Sequence, residues 1–355
     1  MAADNEPTHE ELLLHLQSVA ERAVSRFGLP QDAAVKLINV SENATFKVED
    51  VGSGRKWALR VHRHGYHSRT AIASELVWLA ALRDYGVAVP TPVKALDGEF
   101  IQTMAADGLP NPRNVVLFLW ENGAEPDRTD VTGFELLGET AARMHAHIRH
   151  WRRPPWFERH TWDFETSLGD CPHWGRWQDG MGMTSEATEA ISAAVDLIHD
   201  RLEAFGKSPD RFNLVHGDMR LANLLMDGKD VKVIDFDDSG FSWLLYDCAT
   251  TVSFFEQAPE VPELLKAWVR GYRRIGTLSP EEENEIETFV MLRRLLLVAW
   301  IGSHSETELA QSMGVAYTQE SIPLCEQYLS RFGGKSGRSS RGAAPKKTSL
   351  QRFLG

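Results

Sequence analysis

The chain has 355 residues, of which 43% are hydrophobic and 25% charged, and its formal net charge is −12. This length suggests two lobes or domains, and the apolar and charged fractions are ordinary for a globular protein. The negative charge disfavours a nucleic-acid-binding protein and mildly favours cationic substrates, while three scattered cysteines predict neither a disulfide framework nor a zinc site.

The sequence contains no pattern typical of membrane insertion or export. Its longest strongly apolar run, residues 295–302, is too short to span a bilayer. The acidic N-terminus lacks the basic and apolar segments of a signal peptide. We therefore expect a cytoplasmic protein with neither a membrane nor a nucleic acid as partner. An acidic surface also serves solubility alone, and the oligomeric state is not indicated.

The first third of the chain is predicted to form a helix followed by a small β-rich lobe. Apolar residues recur at helical spacing over residues 9–28, so an N-terminal helix is assigned within residues 1–29. β-Branched and alternating residues separated by turn signals predict strands at 35–40, 44–49, 57–62, 93–96, 100–104 and 115–120, with a helix at 71–82. Together these elements make residues 30–120 the predicted small lobe.

Residues 121–332 are predicted to be mainly helical. Amphipathic or buried helices are expected at 129–151, 185–205, 246–255, 261–275, 280–303 and 321–332. Residues 151–180 are rich in Trp and Phe without a regular period, which indicates a loop or broken helix. Their aromatic rings and nearby carboxylates fit either the wall of a cationic substrate's site or simple packing.

The composition changes at Gly333. Residues 333–355 are rich in Gly, Ser and basic side chains and contain no acidic residue. Such a segment buries too little apolar surface to fold, so it is predicted to be a disordered basic tail.

The most informative stretch, residues 214–238, reads LVHGDMRLANLLMDGKDVKVIDFDD. Residues 224–234 are expected to form a short strand, an Asp-Gly hairpin turn and a second strand. This arrangement places Asp218 on a loop, Asn223 at the exit of that loop and Asp235 just after the hairpin.

That layout suits phosphoryl transfer from ATP. The reaction needs a carboxylate beside the attacking hydroxyl and oxygen ligands for the Mg²⁺ that bridges the phosphates. We therefore predict that Asp218 is the catalytic base and that Asn223 and Asp235 hold the metal. Asp237 is either a further carboxylate near the metal or a turn residue. The spacing also matches the catalytic loop and metal-binding Asp of protein kinases.

These motifs carry a resemblance to a known family. H-G-D at 216–218, I-D-F at 234–236 and Y-D at 246–247 are similar to those of the aminoglycoside phosphotransferase and choline kinase superfamily, which includes bacterial homoserine kinases and stress-response protein kinases. The resemblance covers about residues 30–330. It implies an α+β, two-lobed, protein-kinase-like fold with a small antiparallel β lobe and a larger, mainly helical lobe. It also implies that Asp247 braces the Asp218 loop.

The kinase pattern assigns nucleotide-binding roles in the small lobe. Arg60 stands where the pattern places its phosphate-binding Lys, and Glu75 is positioned to pair with it. The turn containing Ser41 and Asn43 would cover the phosphates, although it lacks the glycine-rich motif. Glu121 begins the expected hinge that binds the adenine edge.

The sequence thus predicts an ATP- and Mg²⁺-dependent kinase whose acceptor is the hydroxyl of a small molecule, such as an amino alcohol or hydroxy amino acid. A Ser/Thr protein kinase of the stress-response type is one alternative. An aminoglycoside kinase and a nucleotide-binding pseudokinase are the others.

Overall fold

A computed structural model describes residues 8–228 and 230–334. In chain order its elements are α1 (His9–Arg26), β1 (Ala34–Val40), β2 (Ala44–Glu49), β3 (Lys56–Val61), α2 (Arg69–Asp84), β4 (Pro92–Val93), β5 (Ile101–Met104), β6 (Arg113–Leu119), α3 (Val131–His150), β7 (His160–Thr161), α4 (Phe164–Ser167), α5 (Ser185–Phe205), β8 (Phe212–Val215), β9 (Leu224–Asp227), β10 (Asp230–Val233), β11 (Gly240–Trp243), α6 (Leu245–Thr250), α7 (Val261–Tyr272), α8 (Pro280–Ser303) and α9 (Glu308–Phe332). The predicted disordered tail lies outside the described residues from position 335 onward.

The N-terminal part is an antiparallel sheet with strand order β1-β2-β3-β6-β4, in which β5 also pairs with β6. In β2 the alternate residues Ala44, Phe46 and Val48 are buried, as the period of a strand requires. They pack with the apolar face of α1 in one hydrophobic core. A reciprocal cap between Thr8 and Glu11 starts α1. Strand β3, which carries Arg60, is therefore fixed between β2 and β6 in the sheet.

The C-terminal part is mainly helical and has a separate, larger core. Helix α8 lies at its centre, since nearly every residue from Ile286 to Ile301 is buried. Two of these buried residues are Arg293 and Arg294, so their charges must find partners inside the protein. None of the helices in residues 8–228 and 230–334 is long and apolar enough to cross a membrane.

Two small sheets connect the helices to the predicted site. Strands β9 and β10 form the antiparallel hairpin expected from the sequence. Strand β11, which the sequence analysis did not predict, pairs antiparallel with β8 and parallel with β7. The middle strand thereby ties the aromatic-rich segment to the strand that precedes the Asp218 loop.

Three helix boundaries differ by three residues or more from those predicted. Helix α6 ends at Thr250 rather than at residue 255, because the chain turns there and Phe254 has a φ of +73°. Helix α7 ends at Tyr272 rather than at residue 275. Helix α9 begins at Glu308 rather than at residue 321, with non-helical backbone at Gly314 (φ 50°, ψ −147°) dividing it. We propose the lobe division near residue 120 because β6 ends at Leu119.

Candidate active site

The H-G-D loop, residues 216–218, is fixed by hydrogen bonds to one buried carboxylate. Asp247 of α6 is fully buried and accepts hydrogen bonds from the backbone N–H groups of His216 at 3.2 Å and Gly217 at 2.8 Å. Its Oδ2 also lies 3.0 Å from Nε2 of His145 on α3. Gly217 has a φ of +80°, and a Cβ there would lie 2.8 Å from the carbonyl oxygen of Asp238. The loop thus needs both its glycine and its buried carboxylate.

Asp218 is surrounded by donors on both carboxylate oxygens. Asn223 donates from Nδ2 to Oδ2 at 2.7 Å, Arg220 donates from Nε to the same oxygen at 3.2 Å, and Arg293 donates to Oδ1. Burial opposes ionisation of Asp218, but the charges of Arg293 and Arg220 outweigh it and lower its pKa below the ordinary value. Asp218 is therefore an ionised hydrogen-bond acceptor at neutral pH.

Asn223 and Asp235 lie side by side in the cleft, because the N–H of Ile234 donates to the backbone carbonyl of Asn223 at 2.9 Å. The amide nitrogen of Asn223 is committed to Asp218, which leaves its side-chain oxygen available. Asp235 adopts a left-handed φ of +60°, and 43% of its side chain is exposed. Burial of the surrounding site is the main reason that the pKa of Asp235 is raised. Strained backbone of this kind is concentrated at functional sites.

These two side chains fit a hard divalent cation. A carboxylate and an amide oxygen are the donor types that Mg²⁺ accepts, and Mg²⁺ usually takes its remaining ligands from water and substrate phosphates. Among residues 8–228 and 230–334, no group of three or more His, Cys, Asp or Glu side chains is arranged to hold a metal. The described residues therefore fit a cation that binds together with a phosphate ligand better than one held by protein alone.

Arg60 connects the small sheet to the segment after the hairpin. It is 5% exposed and forms a salt bridge with Glu75 of α2, the pair that the kinase pattern indicated. Its Nη1 lies 3.3 Å from Oδ1 of Asp235 and 3.7 Å from Oδ1 of Asp237. A single guanidinium thus contacts carboxylates from both parts of the chain.

Asp237 is a buried partner of Arg60, not an exposed turn residue. It is 5% exposed, and neither of its carboxylate oxygens accepts a hydrogen bond among the described residues. Ring nitrogens of His62 and His67 each lie 3.7 Å from Oδ1. Burial lowers the pKa of His67 to about 2 and that of His62 well below its ordinary value, so both rings are neutral. Burial also raises the pKa of Asp237.

Arg60, Asp218 and Asn223 line a cleft of about 780 Å³, together with Asp235 and Asp237. Ser41 and Asn43 line one wall, and Asn43 accepts a hydrogen bond from the N–H of Arg63 at 3.0 Å through Oδ1. Glu121 also lines the cleft, with Oε2 3.4 Å from Nζ of Lys232. Apolar side chains line the cleft too, among them Ala58, Phe118, Leu119, Leu225 and Ile234. The structure therefore brings all eight residues predicted for the site into one cleft: Ser41, Asn43, Arg60, Glu75, Glu121, Asp218, Asn223 and Asp235.

Apart from the exposed Glu308, four charged residues that line the cleft were missed by the sequence analysis: Glu42, Arg220, Asp238 and Arg293. Arg293 had a usable signal, because two adjacent arginines interrupt an otherwise apolar helix and must be paired if that helix is buried. Glu42 and Asp238 had no such signal, since each lies in a short polar turn.

The aromatic-rich segment contributes side chains to both the cleft and the core. Trp174 is 4% exposed and lines the cleft. Trp162 is buried instead, and its Nε1 donates to the backbone carbonyl of Asp238 at 2.8 Å. The carboxylate of Asp163, one of those near the aromatic rings, caps α4 and pairs with Lys207 at 2.8 Å. The segment therefore contributes one cleft residue and much packing.

Comparisons with known proteins agree with this geometry. A family model described as Phosphotransferase enzyme family matches residues 35–283. The solved structure of the microcompartment-associated aminopropanol kinase is 44% identical, with a TM-score of 0.82, over 89% of this chain and 98% of that one. The amicoumacin kinase of Bacillus subtilis (strain 168) is 24% identical over 80% of this chain and 84% of its own length.

A more distant structural neighbour is a spectinomycin phosphotransferase solved with ADP and spectinomycin. It is 13% identical, with a TM-score of 0.61, and the match covers 88% of this chain and 98% of that one. At this identity the likeness concerns the fold alone. Together with the aminopropanol kinase structure, it confirms the predicted α+β, kinase-like fold.

Proposed function

The chain belongs to the phosphotransferase enzyme family, and on that premise we propose that it transfers the γ-phosphate of ATP, with Mg²⁺, to the hydroxyl of a short amino alcohol. The family match and the 44% identity to a kinase confirm the predicted family and the predicted enzyme class, a small-molecule phosphotransferase. The nucleotide, the metal, the acceptor and the roles of individual residues go further and are the proposal.

The observation that carries the acceptor class is the similarity to the aminopropanol kinase over 98% of that chain. Identity of 44% over such a length extends through the large lobe, where the acceptor would bind. Two more distant structural neighbours were solved with AMP-PNP or ADP, which supports an adenine nucleotide as the donor.

Asp218 is the proposed base. Its Oδ1 accepts a hydrogen bond from Arg293, and a carboxylate oxygen has a second lone pair for the acceptor hydroxyl. In the reaction the hydroxyl oxygen forms a bond to the γ-phosphorus, the bond from that phosphorus to the ADP oxygen breaks, and the hydroxyl proton passes to Asp218. The lowered pKa of Asp218 keeps it ionised and ready to orient the hydroxyl.

The remaining roles follow from charge and position. Asn223 and Asp235 would hold Mg²⁺, which supplies positive charge to the phosphates as their negative charge redistributes. Arg60, fixed by its ion pair with Glu75, would bind phosphate oxygens; its fork can make two parallel bonds where a Lys makes point contacts. Ser41 and Asn43 would cover the phosphates, and the backbone at Glu121 would bind the adenine edge.

A second candidate acceptor is the hydroxyl of an antibiotic. The amicoumacin kinase, which spans most of this chain at 24% identity, favours it. An acceptor of that size would have to fit the same cleft of about 780 Å³ together with the nucleotide. A panel of acceptors separates the two candidates directly.

The proposal is tested by acceptor-dependent release of ADP from Mg-ATP. The panel contains 1-amino-2-propanol, ethanolamine, amicoumacin, an aminoglycoside and a generic Ser/Thr protein. The enzyme is expected to turn over the short amino alcohols with the highest kcat/KM. Preference for any other member would refute the proposed acceptor class.

The variant Asp218→Asn tests the base. Its kcat is expected to fall by about 10²- to 10⁴-fold with little change in affinity for Mg-ATP, because general base catalysis typically contributes that factor. Asp200→Asn is the matched control, since the side chain of Asp200 is 82% exposed and lies outside the cleft. A full kcat in Asp218→Asn would contradict the assignment.

A further inference from the structure

The cleft contains two acidic side chains that the phosphoryl transfer does not use. Glu42 lies in the turn between β1 and β2 and is 9% exposed. Asp238 follows the metal-site segment and is half-buried. Both line the cleft that also contains Asp218. They come from distant parts of the chain and are close enough for the charge of Glu42 to act on Asp238.

Each of these carboxylates is held in place by an aromatic side chain. Trp300 of α8 donates from Nε1 to Oε1 of Glu42 at 2.8 Å. Tyr66 donates its hydroxyl to Oδ1 of Asp238 at 2.6 Å, and Trp174 donates from Nε1 to the Tyr66 oxygen at 3.2 Å. These neutral donors fix the position of each carboxylate but do not neutralise its charge.

Positive charge is scarce around the pair. Among residues 8–228 and 230–334, Asp238 forms no salt bridge, and Glu42 has only the ring of His304 at 3.5 Å. Arg293 is committed to Asp218. Burial and the nearby charges of Glu42, Asp218 and Asp237 raise the pKa of Asp238. A cationic ligand would relieve this repulsion and supply the missing partner.

Two aromatic side chains beside Glu42 and Asp238 suit a cation as well. The indoles of Trp174 and Trp300 are 4% and 6% exposed, and both line the cleft. Arg293 lies with its guanidinium carbon 5.5 Å from the centre of the Trp174 ring, so that ring already contacts one cation. Aromatic faces attract cations through their quadrupole.

We propose that Glu42 and Asp238 together bind the ammonium group of the acceptor, an inference that rests on the proposed amino alcohol kinase function. The acceptor hydroxyl then faces Asp218, which is near enough to Asp238 for its charge to act on that side chain. In this proposal a short carbon spacer separates the ammonium nitrogen from the hydroxyl oxygen. Because the two carboxylates accept N–H hydrogen bonds, the site selects a primary ammonium over a trimethylammonium group.

The test compares a charged acceptor with its uncharged analogue, 1-amino-2-propanol with 1,2-propanediol, in Glu42→Gln and Asp238→Asn. Each amide keeps one oxygen, which still accepts from Trp300 or Tyr66, so the walls should stay in place. The KM for 1-amino-2-propanol should rise about ten- to hundredfold, since hydrogen bonds to charged groups have that strength. The KM for the diol should stay within about twofold.

The matched control is Glu308→Gln, which removes one negative charge from an exposed residue at the rim of the same cleft. It should leave the KM for 1-amino-2-propanol unchanged. Equal shifts in the two acceptors, or the same rise in the control as in Glu42→Gln, would overturn the assignment and indicate a structural or general electrostatic effect.

Calorimetric titration of 1-amino-2-propanol into the protein with Mg-AMP-PNP keeps the inference testable apart from turnover. Binding to the wild type that is lost in both variants would support the ammonium site, even if no acceptor were phosphorylated and the proposed function failed. Equal affinity of wild type and variants would reject the site while leaving the kinase function standing. Choline binding as tight as 1-amino-2-propanol would reject the selection for a primary ammonium.

Discussion

Replacing Asp247 by asparagine tests whether one buried carboxylate holds the catalytic loop. The side chain accepts from the N–H groups of His216 and Gly217 at 3.2 and 2.8 Å and lies 3.0 Å from His145. An asparagine keeps one acceptor oxygen and turns the other position into a donor. At least one buried N–H group then loses its acceptor and faces another donor.

The expected loss of stability in Asp247→Asn follows from these contacts. Asp247 and His216 are both fully buried, so water does not replace the lost bond. An unsatisfied buried polar group costs about 1–3 kcal/mol, and losing the charge weakens the remaining bonds. We expect the free energy of unfolding to fall by about 2–4 kcal/mol. The kcat should also fall by tenfold or more, because Asp218 follows directly after Gly217 and small displacements of a base are costly.

The assay is urea unfolding followed by circular dichroism, together with steady-state kinetics. Asp200→Asn, at an 82% exposed side chain, should stay within about 0.5 kcal/mol of the wild type. Combining Asp247→Asn with His145→Ala should give less than the sum of the single effects, since the two side chains share a contact. A stable, fully active Asp247→Asn protein would refute the bracing role.

Two further predictions concern the small lobe and its junction. Arg60→Lys should keep activity but raise the KM for ATP, because a Lys ammonium cannot make the bidentate contact of a guanidinium. Arg60→Met should raise the KM for ATP further. Equal KM values in the wild type and both variants would contradict phosphate binding by Arg60. His67 is buried with a pKa of about 2. As the pH falls below about 6.5, its ring is protonated in the unfolded chain but stays neutral in the folded chain. The stability that this neutral ring gives is complete above pH 6.5 and is lost as the pH falls toward 2; by pH 5 the loss is about 2 kcal/mol. Urea unfolding at pH 8 and pH 5 should therefore show a smaller acid loss in His67→Asn than in the wild type, and equal losses would refute the neutral buried ring.

The sequence by itself determined most of the helices and strands and the order of the phosphotransferase motif. The alternation in residues 44–49, the Asp-Gly hairpin and the spacing of Asp218, Asn223 and Asp235 are all local, so they were readable without any knowledge of packing. The pairing of Arg60 with Glu75 was also accessible, because only 15 positions separate them and the kinase pattern places them on adjacent elements.

The contacts that tune the site were not local and were decided by tertiary structure. Arg293 reaches Asp218 across 75 positions, and Trp300 reaches Glu42 across 258. Strand β11 has only four residues and pairs with β7 and β8, so its own sequence carried little signal. The period of a helix shows which face is apolar, but not which loop that face will meet. Which charges become neighbours therefore depends on how α8, the β1–β2 turn and the segment after the hairpin pack together. That packing lowers the pKa of Asp218 and brings the carboxylates of Glu42 and Asp238 near each other.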